Sequence, residues 1–143
     1  MKNNKVIGFT AGVYDLFHIG HLNILKNAKS YCDYLIVGVS TDEVVKQNKG
    51  KVPVFSFNER ISIVEAIKYV DKAIPQERYD IEGKIQLAID YKIDVMFVGS
   101  DWKGTEKWDK IEKELLKIGC KTVYLPHTDG ISSTQLIDKI KKM

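Results

Sequence analysis

Arginine is nearly missing from this chain. Of 22 basic residues in 143, only Arg60 and Arg78 are arginines. Any two-pronged grip on a phosphate must come from those positions or be replaced by lysine point charges. Cysteine is also scarce: Cys32 and Cys120 stand far apart, with no CxxC pair and no histidine at zinc-ligand spacing. That pattern argues against a zinc site and against a disulfide framework, and two reduced thiols are expected. No apolar run is long. The stretch Tyr34–Ser40 reaches seven residues, whereas a membrane-spanning helix needs about 20. The opening Met1-Lys-Asn-Asn-Lys lacks an apolar signal segment, so a cytoplasmic protein without membrane insertion is expected. A net charge of +3 makes no electrostatic case for a nucleic-acid partner. The terminal Lys139–Lys142 reads as the solvated end of a helix, where the dipole favours lysine.

What remains is an ordinary globular composition, 44% hydrophobic, expected to form a single domain over residues 1–143. Short β-branched runs alternate with helical periodicity. Strands are predicted over Lys5–Thr10, Tyr34–Val39, Val70–Ile74, Asp94–Gly99 and Lys121–Leu125. Helices are predicted over Ile19–Cys32, from Ser40–Glu43 onward, and over Asn58–Tyr69, Ile81–Tyr91, Glu106–Ile118 and Ser132–Lys141. Gln47–Phe55 reads as a loop, and Pro75 as the end of the third strand. The implied fold class is α/β: one doubly wound, five-stranded parallel sheet with helices on both faces. In such sheets ligands bind beyond the carboxyl ends of the strands. Loops 11–21, 40–51, 99–105 and 126–134 should therefore share one edge.

The most informative of these loops holds Gly12-Val-Tyr-Asp-Leu-Phe-His18-Ile-Gly-His21. Two histidines three apart, at a helix N-terminus, can direct both imidazoles at one anion alongside the free amides and the dipole. Gly20 between them lets a phosphate approach the backbone. HxxH spacing is also compatible with a metal pair, but no carboxylate or third histidine stands at ligand spacing, and no protein metal site is expected.

The stretch resembles the HxGH signature of the nucleotidyltransferase superfamily, in the Asp-Leu-Phe-His-x-Gly-His form of its cytidylyltransferase branch. Further blocks keep the order of the small bacterial glycerol-3-phosphate cytidylyltransferases. These are Tyr34–Glu43, Lys49-Gly-Lys51 with Asn58-Glu-Arg60, Lys68–Asp71 through Pro75, Val98–Gly104 and His127–Ser133. The resemblance implies a Rossmann-like fold and CMP transfer from CTP to a phosphorylated polyol, giving CDP-glycerol, an envelope-polymer precursor. It also implies Mg2+ arriving with CTP, and a homodimer. An adenylyltransferase, or another acceptor such as ethanolamine phosphate, choline phosphate or a sugar phosphate, is the alternative.

By the same resemblance, His18 and His21 would stabilise charge on the α-phosphate. Lys49 or Lys51 would bridge acceptor and nucleotide phosphates, and Arg60 would clamp a phosphate. Gly12, Val13, Tyr14, Asp15 and Gly20 would line the nucleotide, with Asp15 and Asp71 matching aspartates that orient the loop or the metal-bound nucleotide. Gly99, Asp101 and Trp102 would meet the base, and Thr128, Gly130, Ile131, Ser132 and Ser133 the β- and γ-phosphates. Lys68, Asp71, Tyr79 and His127 would serve the acceptor. Val13 departs from the common threonine, Lys68 and His127 from arginines, and Tyr79 from a tryptophan. A neutral imidazole at 127 supplies no fixed charge. Trp108, Tyr31, Tyr34 and Tyr91 read as packing residues. Arg78 is open between a solvated charge and a contact to the acceptor.

Overall fold

In the computed structural model, which describes residues 5–126, 128 and 131–143, strands and helices alternate as the periodicity predicts. The strands are β1 (Ile7–Gly12), β2 (Tyr34–Ser40), β3 (Lys72–Gln76), β4 (Val95–Gly99) and β5 (Lys121–Leu125). The helices are α1 (Ile19–Ser30), α2 (Asp42–Lys49), α3 (Phe57–Glu65), α4 (Ile81–Asp90), α5 (Glu106–Lys117) and α6 (Ser133–Lys141), with a 3-10 turn at Ser100–Trp102. The five strands lie in the order β3-β2-β1-β4-β5 and are all parallel.

Alternate strand residues feed two cores, one on each face of the sheet. Phe9, Ile36, Ile74 and Met96 pack with Ala88, Trp108, Ile111 and Leu115 of α4 and α5. Leu35, Val37, Val95 and Phe97 pack with Leu25, Ala28 and Val64 of α1 and α3. Strands buried on both faces explain the unbroken apolar run of β2.

Three of the boundaries that differ from the sequence reading have a clear physical reason. Helix α2 continues through Lys49 into the stretch read as loop, and stops only at left-handed Gly50 (φ 71°). Ser56 opens α3 through a capping box with Glu59, so the helix starts at Phe57, one residue before the predicted start. Pro75 sits inside β3 rather than ending it. β3 is an edge strand, where a missing N–H leaves no ladder bond unmade.

The chain runs from β1 to β2 on one side and reaches β4 on the other, so a crevice opens between the loops after β1 and β4. The functional loops share that edge. The opposite edge is closed by carboxylates: Asp33 accepts from Val6 N–H (2.7 Å), Asp94 from Ile7 N–H (2.8 Å) and Asp71 from Leu35 N–H (2.7 Å).

Candidate active site

The two histidines form an interlocked cap on α1. His18 is the N-cap, and its Nδ1 accepts from Gly20 N–H at 3.0 Å. His21 reaches back, and its Nδ1 accepts from His18 N–H at 3.1 Å. Two of the helix's orphan amides are thereby satisfied by imidazole nitrogens in place of the usual hydroxyl and carboxylate. With each Nδ1 accepting, the proton of a neutral ring must sit on Nε2. The rings lie against each other, tilted by 31°, with centroids 3.9 Å apart. Burial holds both pKa values below the usual histidine range; His21 falls to about 4, with His18 adding to the depression and Asp15 opposing it. At neutral pH the pair is therefore uncharged, and it offers N–H donors at a helix N-terminus.

Gly20 is required by this cap. A Cβ there would lie 2.8 Å from His18 Cε1 and 3.0 Å from its Nδ1, with Ile131 Cγ2 at 3.5 Å. Ile131 thus brings the start of α6 against the start of α1. Ser132 caps α6 by accepting from Gln135 N–H (3.0 Å), and Ser133 Oγ donates to Asp15 O (2.5 Å). Asn23 on α1 donates to Thr128 Oγ1 at 2.8 Å. Two helix N-termini and their hydroxyls converge, which is an arrangement for a polyanion.

Burial or position corrects five expected contacts. Arg60 is 0% exposed, with no guanidinium edge open to a ligand. It donates to Phe55 O (3.0 Å), Val13 O (2.7 Å), Ser40 O (2.7 Å) and Asp42 Oδ1 (2.7 Å). The expected phosphate clamp is instead a buried tie among four segments that frame the crevice. Asp15 is buried too, and its two carboxylate oxygens accept from Val54 and Phe55 N–H at 2.7 and 2.9 Å. It anchors the end of the strap of residues 50–55, which carries Lys51, rather than facing nucleotide. Tyr14 is 5% exposed, so its side chain supports the site from below. Asp71 closes the far edge of the sheet, bonded to Leu35 N–H and to Lys29. Lys68, between α3 and the start of β3, lies at that same far edge with its ammonium over the Tyr69 ring.

Other expectations fall at the crevice. Gly12 and Val13 end β1 and begin its loop, and Gly99 ends β4. Asp101 and Trp102 are exposed on the turn that follows. Lys49 ends α2 and Lys51 follows Gly50, both exposed. His127 and Gly130 lie outside the described residues.

Sequence reasoning passed over Lys84. It is buried, 9% exposed, beneath the loop after β3. Its Nζ donates to Tyr79 O (2.5 Å) and lies 5.5 Å from the centre of the Trp108 ring. Burial and nearby Lys107 lower its pKa to about 8, against the pull of Asp80. The signal was available: Lys84 sits on the apolar stripe Ile81–Ile85–Ala88 of α4, where a charge needs a reason. Tyr79 is fixed at its other end as well, its hydroxyl donating to Ser40 Oγ at 2.6 Å.

An open cavity of about 460 Å³ beside α2 is lined by Thr41, Asp42, Glu43, Gln47 and Glu77 among others. Its acidic rim repels phosphates, so the converging N-termini are the better place for a triphosphate.

Residues 9–139 match the model of the cytidylyltransferase-like family. The chain belongs to that family. It is therefore a nucleotidyltransferase, and the histidine cap lies in the matched region. It is 45% identical over 136 residues to the glycerol-3-phosphate cytidylyltransferase of Bacillus subtilis, covering 95% of this chain and 96% of that one. It is 34% identical over 133 residues to the ethanolamine-phosphate cytidylyltransferase of Mus musculus, covering 90% of this chain but 31% of that longer protein. Among solved structures, the lipopolysaccharide core biosynthesis protein of Thermoplasma volcanium superposes with a TM-score of 0.70. It is 29% identical and covers 87% of this chain and 97% of that one.

Proposed function

We propose that this family member transfers CMP from CTP to glycerol 3-phosphate, releasing pyrophosphate and forming CDP-glycerol. The reading rests on the interlocked histidine cap, which leaves two neutral Nε2–H donors at the start of α1, beside a second helix N-terminus. The resemblance over nearly full length to a glycerol-3-phosphate cytidylyltransferase supports it.

An oxygen of the acceptor phosphate attacks the α-phosphorus of CTP in line. The new P–O bond forms as the bond to the β-phosphate breaks, and pyrophosphate leaves with the electron pair. His18 and His21 donate Nε2–H to the α-phosphate oxygens, where negative charge is redistributed. Because they start neutral, no proton has to leave them before the nucleotide binds. Ser132, Ser133, Thr128 and the α6 amides hold the β- and γ-phosphates. Lys49, at the end of α2, and Lys51, on the strap anchored by Asp15, supply positive charge between acceptor and nucleotide. Asp101 accepts from the cytosine amino group, with Gly99 and Trp102 beside it. Lys84 and Tyr79 form the acceptor side, where a charged donor above Trp108 suits a phosphate.

A resident magnesium cage does not fit these residues, since both oxygens of Asp15 are committed to the strap. Mg2+ is read as part of the nucleotide substrate. A cytoplasmic homodimer completes the proposal, with exposed Ile19, Val52 and Val54 available to a second copy; sedimentation tests it. Pyrophosphate release measured with each nucleoside triphosphate and a panel of phosphorylated acceptors tests the function. CTP with glycerol 3-phosphate should be the preferred pair. Preference for ATP, or for an aminoalcohol phosphate, would overturn it.

A further inference from the structure

Residues 77–80 connect β3 to α4, and Glu77, Arg78 and Asp80 are exposed. Tyr79 alone is half-buried, and it is held at both ends. Its hydroxyl donates to Ser40 Oγ at 2.6 Å, and its carbonyl accepts from Lys84 Nζ at 2.5 Å. Ser40 is 1% exposed and ends β2. Its carbonyl accepts from Arg60 at 2.7 Å, and it pairs in register with Gln76, the last residue of β3. The Ser40 hydroxyl is therefore a fixed point of the sheet, too deep to meet a substrate.

Lys84 shows what such a point is for. A buried ammonium is costly unless its three N–H groups are met. Among the described residues, Tyr79 O is the one oxygen to which it donates. The Trp108 ring, with its centre 5.5 Å from Nζ, attracts the charge without fixing its direction. The head of a long, flexible side chain thus stands where the Tyr79 carbonyl stands, with donors left over for an anion.

We infer that Ser40 is a positioning residue for the acceptor phosphate: by accepting from the Tyr79 hydroxyl, it fixes the carbonyl that holds the Lys84 ammonium. The inference deepens the function proposed above and rests on its placing of Lys84 at the acceptor. Without the hydroxyl bond the connector loses its link to the end of β2. The Arg78–Asp80 ion pair (2.9 Å) lies within the connector and is exposed, so it adds little. Small displacements matter, because an N–H donor must meet a phosphate oxygen within a narrow range of distance and angle.

Tyr79→Phe removes the hydroxyl alone. At pH 7, KM for glycerol 3-phosphate should rise about fivefold, the fold-change of one hydrogen bond, with KM for CTP within about twofold of the parent. Ser40→Ala should do the same although its side chain touches no substrate, and it decides the matter should Tyr79→Phe not fold. The double variant should be no worse than either single one, because both remove one link. The alkaline fall in kcat/KM for the acceptor gives a second readout. Burial and Lys107 on α5 hold the Lys84 pKa down to about 8, against Asp80 at the start of α4. With the connector loosened, water reaches the ammonium, and the fall should move up toward the ordinary lysine value. A bond that merely stabilised the fold would leave it in place. An unchanged KM for the acceptor, an equal rise in KM for CTP, an unmoved alkaline fall or additive losses in the double variant would overturn the inference. If the parent does not turn over CTP with glycerol 3-phosphate, the functional reading fails instead. NMR titration of Lys84 in the parent and in Tyr79→Phe then decides the inference: a raised midpoint in the variant upholds the tie, and the same midpoint in both overturns it.

Discussion

The two edges of the sheet solve the same problem with different chemistry. At the amino-terminal edge, Asp33, Asp71 and Asp94 accept backbone N–H groups from Val6, Leu35 and Ile7. At the carboxyl-terminal edge, the amides of α1 are met by imidazoles and those of α6 by a serine. Carboxylates are the stronger acceptors, but beside a triphosphate their charge would repel the substrate. A histidine accepts through Nδ1 and still has Nε2–H to give. The difference teaches that a cap can be a catalytic device when its residue has a second face, and only structural when it has none.

That comparison is broken most sharply at His21. His21→Ala should reduce kcat by about 10²–10³, the usual loss of one donor aimed at developing charge. Circular dichroism should show the fold retained, as water replaces one cap. The pH dependence follows from the same ring. The unfolded chain takes up a proton near 6.5, the folded one near 4. Stability is therefore complete above pH 6.5 and is lost as pH falls through that window, because the unfolded state binds more protons there. Melting temperature followed from pH 7 to 4 should show a drop that flattens in His21→Ala.

Gly20→Ala should come next. Alanine suits a helix better than glycine by about 1 kcal/mol, so stability should not suffer. The added Cβ, at 2.8 Å from the His18 ring, must push the imidazole off its cap. Turnover should fall about 100-fold, as misplacement by 1 Å can cost, while the melting temperature holds. A stable and active Gly20→Ala enzyme would show that the histidine cap is not the reacting geometry.

Lys84 sharpens the comparison on the acceptor side. Its ammonium loses its proton at about pH 8, so kcat/KM for the acceptor should fall as pH rises through that value. Lys84→Arg should remove that alkaline fall, since guanidinium stays charged. Lys84→Met should raise KM for glycerol 3-phosphate about tenfold, the lower range for a hydrogen bond to a charged group, and leave KM for CTP alone. Steady-state kinetics across pH 7–9.5 decide it.

How much of this was legible beforehand depended on whether the signal was local. Strand β2 and the glycine-spaced histidines are written in consecutive residues, and the crevice followed from the alternation of strand and helix. Arg60 was misread because its type suggested phosphate, whereas its burial depends on four carbonyl and carboxylate partners spread from Val13 to Phe55. Asp71 was misread for another reason: motif resemblance does not say which edge of the sheet a residue occupies. Pro75 and the longer α2 show local rules yielding to context, an edge strand in one case and a left-handed Gly50 in the other. Lys84 was readable but unread, a charge on an apolar stripe.

The smallest expected effect tests the quiet edge. Asp33 Oδ2 accepts from Val6 N–H at 2.7 Å in an exposed setting, so water can take its place in an Asp33→Ala variant. The cost should be about 0.5–1 kcal/mol, the net worth of one hydrogen bond, read as a fall of about 2–4 °C in melting temperature for a chain of this size. Neither KM nor kcat should move, because no described residue of the crevice bonds to this aspartate. If turnover fell instead, the two edges would be coupled through β1, whose far end carries the histidine loop. The division between an edge that only closes the sheet and an edge that reacts would then have to be given up.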